Sequence, residues 1–417
     1  MKISLCVITK DEEKNIERCI NSVKSIVDEI VVVDTGSADH TVKIVEELGG
    51  KVYYFEWIND FAAARNYALS KVNGDWIIFL DADEYVSKDS LPMLRPVIEK
   101  AHQLKLDVVE TDWININQVN QTFQSSMPIT RILKKSPLLG YKGKIHETIH
   151  KIKGNIKKLD AVDSIKIFHI GYSTDIVQEK KKSDRNIQLL YKELEKKPNS
   201  SNIHFYLAES FNLDGKVEKV LEHIKEVFKY HNGNLNGIYQ KSYFYQLNSM
   251  IALKYEESDI IEIYNKAIHF DKTYPDYEIA MGKYYVEKGE YRKAVSYFSQ
   301  CIEKMNTYKG SSESWVSTNA KQVFKIVANL YYMLQDYEGC VKYLIFILNV
   351  YKDDEESLIQ LLKILKDRSS LEEIFSIINK IYDMTLERDK IIVLRACVAL
   401  KDPKISAFVK DILENQN

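Results

Sequence analysis

The chain has 417 residues, with 58 Lys plus Arg against 60 Asp plus Glu, a net charge of −2, and 45% hydrophobic residues. At roughly 100–200 residues per domain this is enough for two packed cores, so two domains are expected. The near balance of charge, with no long run of one sign at either end, argues against nucleic acid as a main partner.

The first apolar run, Ile3 to Ile8, is short, is followed by Lys10 and Asp11, and lacks a small-residue cleavage site, so it is predicted as a strand rather than a signal peptide. No stretch approaches the ~20 apolar residues needed to cross a bilayer, which predicts a soluble protein without a membrane span. Val- and Ile-rich runs at 2–8, 29–33, 51–55 and 75–80 alternate with amphipathic stretches at 13–27, 39–48 and 59–71. That alternation predicts a parallel sheet covered on both faces, with ligands bound outside the carboxyl ends of its strands. Thr9 to Glu13, Asp34 to Ser37, Trp57 to Asp60 and Asp81 to Glu84 fall there.

Past residue 105 the predicted strands are 107–116, 128–134, 145–152 and 164–170, read as the antiparallel second half of an α/β domain ending near Gly171. From about 175 the chain is helical. Leu207-Ala208, Phe211 and Gly215 recur as Met281-Gly282, Tyr285 and Gly289, and again as Val327-Ala328, Tyr331 and Gln335. The partner helices repeat as Val220, Ile224, Val227; Ala294, Phe298, Cys301; and Cys340, Leu344, Ile347. These spacings resemble tetratricopeptide repeats, with Asp276 to Lys304 the best unit and Leu247 to Ala267 a weaker copy, in which each hairpin buries its apolar face against a neighbour. The division expected is 1–175 for the α/β domain, 176–200 for a linking helix and 201–417 for the helical array. Five scattered cysteines, Cys6, Cys19, Cys301, Cys340 and Cys397, never in Cys-x-x-Cys spacing, predict buried thiols in a reducing, cytoplasmic setting, without disulfide or zinc.

Asp81-Ala82-Asp83-Glu84 follows the apolar run Trp76 to Leu80, and two carboxylates one residue apart at a strand end can hold a hard divalent cation and, through it, a diphosphate. A solvated acidic turn is the alternative. In Asp34-Thr35-Gly36-Ser37-Ala38-Asp39-His40-Thr41, Asp34 is placed to accept from a base or ribose, while Ser37 and Asp39 can instead cap the next helix.

Val7-Ile8-Thr9-Lys10-Asp11-Glu12, the run from Asp34 to Thr41, Asp60-Phe61-Ala62-Ala63-Ala64-Arg65-Asn66 and Asp81-Ala82-Asp83-Glu84 together resemble the family 2 glycosyltransferases of the GT-A fold, over about the first 175 residues. The resemblance implies a Rossmann-like nucleotide-diphospho-sugar transferase domain ahead of the tetratricopeptide-like array, a UDP-sugar donor such as UDP-glucose, and Mg²⁺ or Mn²⁺ as cofactor. On that analogy Thr9 and Glu12 line the nucleotide pocket, Asp34 and Ser37 belong to it, and Arg65 lies near the diphosphate. Asp81 faces ribose or sugar, and Asp83 binds the metal. For Arg65 the alternative is a surface residue paired with Asp60 or Asp75.

Arg131-Ile132-Leu133, Tyr141-Lys142-Gly143-Lys144-Ile145-His146-Glu147 and Phe168-His169-Ile170-Gly171-Tyr172, followed by the helical array, resemble the sublancin-type S-glycosyltransferases, which modify bacteriocin peptides on cysteine. An inverting transfer needs a base, for which Glu147 comes first and His146 second, and His169 is a third-ligand candidate for the metal. A salt-bridged loop Glu and a core histidine are the respective alternatives. The expected activity is transfer of a hexose to Cys or Ser of a ribosomally made peptide. The rivals are a glycosyltransferase of cell-envelope glycan biosynthesis and a non-catalytic repeat scaffold. The helical array is expected either to hold the acceptor peptide or to form a homodimer interface.

Overall fold

The structure, a computed structural model, describes residues 1–117, 123–171, 176–230, 237–308, 314–403, 405–407 and 410. The chain forms two compact units, one covering Met1–Ser249 and the other running from Met250.

The first unit starts with β1 (Ile3–Thr9), α1 (Ile16–Asn21), β2 (Glu29–Asp34), α2 (Thr41–Glu47), β3 (Lys51–Tyr54), α3 (Phe61–Lys71) and β4 (Trp76–Asp81). It continues with β5 (Glu84–Val86), α4 (Leu91–Gln103), β6 (Val108–Asn117), β7 (Phe123–Lys134), β8 (Leu139–Lys142), β9 (Thr148–Lys151), β10 (Lys158–Asp160) and β11 (Lys166–Gly171). The main sheet has the order β3-β2-β1-β4-β7-β6-β11-β5, with β10 also paired to β6, while β8 and β9 form a separate hairpin.

The first four strands are parallel, in register Thr9↔Asp34 and Ile8↔Asp81. Their side chains alternate between two cores. Leu5, Val7, Val32, Ile78 and Leu80 face one, packed with Ile16, Ile20, Leu94 and Ile98 of the covering helices. Cys6, Val31, Val33, Ile77 and Phe79 face the other, packed with Ala62 and Ala68 of α3. Burial on both faces is why these strands read as unbroken apolar runs.

The second half departs from the antiparallel arrangement expected. β7 is antiparallel to β4 and β6, but β10 and β11 run parallel to β6. The strand expected over 145–152 begins only at Thr148, because Gly143 (φ 105°) and His146 (φ 52°) turn the backbone through left-handed conformations before it.

The chain beyond the sheet is helical. Unit one adds α5 (Ile176–Leu194), α6 (Ser201–Leu213) and α7 (Val217–Lys229), and α8 (Ile238–Ala252) follows. The second unit holds α9 (Glu257–Phe270), α10 (Asp276–Glu287), α11 (Tyr291–Thr307), α12 (Trp315–Thr318), α13 (Ala320–Met333), α14 (Tyr337–Val350), α15 (Glu355–Leu365), α16 (Leu371–Ile381) and α17 (Glu387–Leu400). α6 packs on α7, α10 on α11 and α13 on α14, the three pairs that the repeat predicts. Gly215, Gly289 and Gln335 all take left-handed φ, of 68°, 74° and 59°. In each pair the next amide donates to a carbonyl five residues back: Lys216 to Phe211, Glu290 to Tyr285 and Asp336 to Tyr331. The repeat is therefore one helix stop used three times. The fold is the predicted one, a mixed α/β domain of GT-A type followed by tetratricopeptide-like helices. No helix among the described residues is long and apolar enough to cross a membrane.

Candidate active site

β1 is flanked by β2 on one side and β4 on the other, so the loops leaving β1 and β4 diverge at a switch in strand order. A cleft of about 540 Å³ opens at that point. Thr9, Glu12, Arg65, Asp81, Asp83, Glu147 and His169 all line it, which gathers into one place seven residues singled out from five separate segments. Trp57, Phe61 and Arg185 add to its walls.

Asp34, Ser37 and His146 do not line the cleft. The Asp34 carboxylate accepts from the amides of Gly36 and Ser37 and from Ser37 Oγ at 2.5 Å, which ties it into its own loop. Ser37 Oγ in turn accepts from the Asp11 amide at 2.9 Å, and Asp11 accepts from the Ala38 amide at 2.7 Å. Ser37 thus laces the loop after β2 to the loop after β1 and does not cap α2. Asp39 accepts from the Thr41 amide at the start of that helix. His146 stacks on Tyr206 of α6, with centroids 3.8 Å apart.

Asp60 caps α3 by accepting from the Ala63 amide at 2.9 Å, and one turn later α3 delivers Arg65 into the cleft. Arg65 is 4% exposed and is not paired with Asp60 or Asp75. Its Nε donates to Glu147 Oε1 at 2.5 Å, its Nη2 donates to Asp81 Oδ1 at 2.7 Å, and its guanidinium lies over the rings of Phe79 and Tyr141. From β7, Arg131 donates to Asp81 Oδ2 at 2.6 Å and to Glu84 Oε1 at 2.5 Å. Burial works against charge on Asp81, but Arg131 and Arg65 outweigh it and hold its carboxyl down to about 2. Glu84 is 1% exposed, and there burial prevails and raises the pKa.

Asp83 Oδ2 and His169 Nε2 lie 3.3 Å apart on the cleft wall. Burial disfavours a charge on His169, but the hydrogen bond and charge of Asp83 prevail and raise its pKa. Two donors in the walls are buried without a partner, Thr9 Oγ1 and Arg65 Nη1, and buried polar groups of that kind call for an acceptor from elsewhere.

Arg131 and Glu84 belong to the sequence motifs, and only the fold shows their part in the network. The available signal was a cation placed two residues before Leu133, on the inward face of a strand. Tyr172, quoted with His169, lies outside the described residues.

At the end of β4, where the parallel half of the sheet stops, Arg65 and Arg131 thus grip Asp81, with Asp83 beside it on the cleft wall. Residues 4–168 match the model of glycosyl transferase family 2, so the amino-terminal part of the chain carries a family 2 glycosyltransferase domain. A TPR repeat-containing protein of Synechococcus elongatus is 32% identical over 195 residues, which is 45% of this chain and 47% of that one. The glycosyltransferase SunS of Bacillus subtilis is 27% identical over 226 residues, 54% of this chain and 52% of that one. The chain spans about half the length of these curated relatives. Among solved structures, glucosyl-3-phosphoglycerate synthase of Mycobacterium tuberculosis is 23% identical over 27% of this chain and 44% of that one, with a TM-score of 0.24.

Proposed function

We propose that this chain is an inverting, metal-dependent glycosyltransferase that moves a hexose from a UDP-sugar, UDP-glucose first, to a Cys or Ser side chain of a ribosomally made peptide. The observation that carries the reading is the convergence of Asp81, Asp83, Arg65, Glu147 and His169 on one cleft at the switch point of the sheet. The peptide acceptor rests on the resemblance of the sequence segments 131–133, 141–147 and 168–172, followed by the repeat helices, to the bacteriocin-modifying enzymes.

The residues fit a divalent cation. Asp83 and His169 supply one carboxylate oxygen and one imidazole nitrogen 3.3 Å apart. No cluster of three His, Cys, Asp or Glu suited to a metal occurs among the described residues, so the protein offers two ligands. Two protein ligands leave room for phosphate oxygens and water, as Mg²⁺ and Mn²⁺ sites that handle nucleotides require. Such a cation, when bound, would stabilise charge on the departing diphosphate.

The chain's own groups then divide the work. Thr9 Oγ1 and Arg65 Nη1, unpartnered in the walls, donate to the nucleotide. The acceptor's sulfur or oxygen forms the new bond to the anomeric carbon, and the bond to the diphosphate oxygen breaks with its electron pair leaving on that oxygen. The acceptor proton passes to Glu147, whose Oε1 is held by Arg65.

The test is mass spectrometry of peptide libraries incubated with mixed sugar nucleotides and Mn²⁺. The proposal expects one added hexose on Cys or Ser. Transfer only to glycan or lipid-linked acceptors would replace it with the envelope reading, and no consumption of any sugar nucleotide would favour the scaffold. Glu147→Gln should lower turnover by about 10²–10⁴-fold, more for a Ser acceptor than for a Cys acceptor, because a thiol (pKa about 8.5) sheds its proton with less help. Equal losses on both acceptors would contradict this role for Glu147.

A further inference from the structure

His169 is held by two groups that lie outside the proposed ligand pair. Its Nδ1 is 3.1 Å from Asn115 Oδ1, and its ring stacks on Trp113 with centroids 4.7 Å apart and planes 27° apart. Asn115 and Trp113 sit on β6, which is paired with β11 so that Asn115 lies opposite His169. Trp113 is itself pinned, because its Nε1 donates to Glu84 Oε1 at 2.7 Å. Glu84 accepts from Arg131 on the same oxygen and from the Asp81 amide on Oε2, so its carboxylate has no freedom to turn.

The chemistry of these contacts is directional. An amide oxygen can only accept, so the Asn115 contact makes Nδ1 the donor of the ring. In the neutral imidazole the lone pair is then on Nε2, the nitrogen 3.3 Å from Asp83 Oδ2. A lone pair and a carboxylate oxygen facing each other repel unless a proton or a metal cation lies between them, and a metal that binds there takes the place of the proton. A histidine whose distal nitrogen is fixed by a hydrogen bond is also the usual form of a metal ligand.

We infer that Asn115, together with the Glu84-anchored Trp113, positions His169 so that its Nε2 lone pair and Asp83 jointly face a divalent cation. Asn115 and Trp113 are positioning residues that touch neither donor nor acceptor in this account. The inference rests on the metal reading proposed above and deepens it.

The test is Mn²⁺ binding to the whole chain with UDP present, followed by electron paramagnetic resonance, a readout independent of turnover. Asn115→Ala should weaken Mn²⁺ by about 10–100-fold, the usual effect of removing a group behind a ligand. Asn115→Asp, which retains an oxygen acceptor, should recover most of that loss. Trp113→Phe keeps a stacked ring but loses the bond to Glu84, and should cost several-fold; it serves where Asn115→Ala fails to fold. UDP binding without metal should be unchanged in all three. Equal Mn²⁺ affinity in wild type and both the Asn115→Ala and Trp113→Phe chains would overturn the inference alone. Absence of Mn²⁺ binding by the wild-type chain with UDP would overturn the metal reading and this inference together.

Discussion

Arg65 and Arg131 grip the Asp81 carboxylate from two sides, and each carries a second carboxylate, Glu147 and Glu84 respectively. The chain of charges runs from the proposed base, through the acidic motif, to a wholly buried glutamate. Such a network is costly to break from within, because a survivor is left charged in a poorly solvated place. Arg131→Ala should therefore destabilise the chain by about 3–5 kcal/mol in urea unfolding, since it strips both Asp81 and Glu84. A loss below about 1 kcal/mol would show that water or another cation replaces it. The acidic motif was legible because two carboxylates after an apolar run stand out in any sequence. Its partners were not, since Arg65, Arg131 and Glu147 come from three distant segments, and pairing among them follows from strand order rather than spacing. Asp34 shows the converse, a residue conspicuous in the sequence whose hydrogen bonds to its own loop follow from the turn at Gly36 and Ser37.

At the scale of elements, the three equivalent helix stops differ in one residue. Gln335 adopts at φ 59° the conformation that Gly215 and Gly289 adopt without a Cβ. Relief of the left-handed penalty, partly offset by the entropy of glycine, predicts that Gln335→Gly stabilises by about 0.5–1 kcal/mol in thermal or urea unfolding. Any destabilisation would contradict this account of the repeat. Gly282 has the opposite constraint, because a Cβ there would lie 2.8 Å from the Phe298 ring, so Gly282→Ala should cost about 1–3 kcal/mol.

Between α6 and α7, His204 Nε2 donates to the Pro198 carbonyl, which leaves His204 Nδ1 to accept from His223 Nδ1 at 3.0 Å. His223 Nε2 then accepts from the Tyr191 hydroxyl. Charge on both rings would set two N–H groups against each other at the Nδ1–Nδ1 contact. Burial and then His204 push the His223 pKa down to about 4, below the ~6.5 of an unfolded histidine. A depressed histidine pKa means stability fully present above about 6.5 and lost as pH falls toward 4. The unfolding free energy in urea should accordingly drop between pH 7.5 and pH 5, by an amount on the order of 2 kcal/mol, and a His223→Leu chain should show a smaller drop. Equal pH dependence in the two chains would contradict this role for His223. The helices themselves were legible through period and small-residue register. β5 and β10 were not, being three residues each with no apolar run to mark them.

For the whole molecule, balanced charge and scattered cysteines are consistent with two cores held by packing rather than by cross-links. All five thiols are buried, and burial raises the pKa of each. A native chain should therefore show no fast reaction with a thiol reagent and release five equivalents on denaturation. One rapidly reacting thiol would reveal an opening that this packing does not contain. The central claim is that Asp83 and its neighbours at the rim of the sheet hold a sugar nucleotide through a divalent cation. Calorimetric titration of UDP with and without Mn²⁺, on the wild-type and Asp83→Asn chains, tests it most directly. The account predicts binding that is strengthened at least tenfold by Mn²⁺ in the wild type and indifferent to Mn²⁺ in the variant; UDP affinity unmoved by metal in the wild type would contradict it.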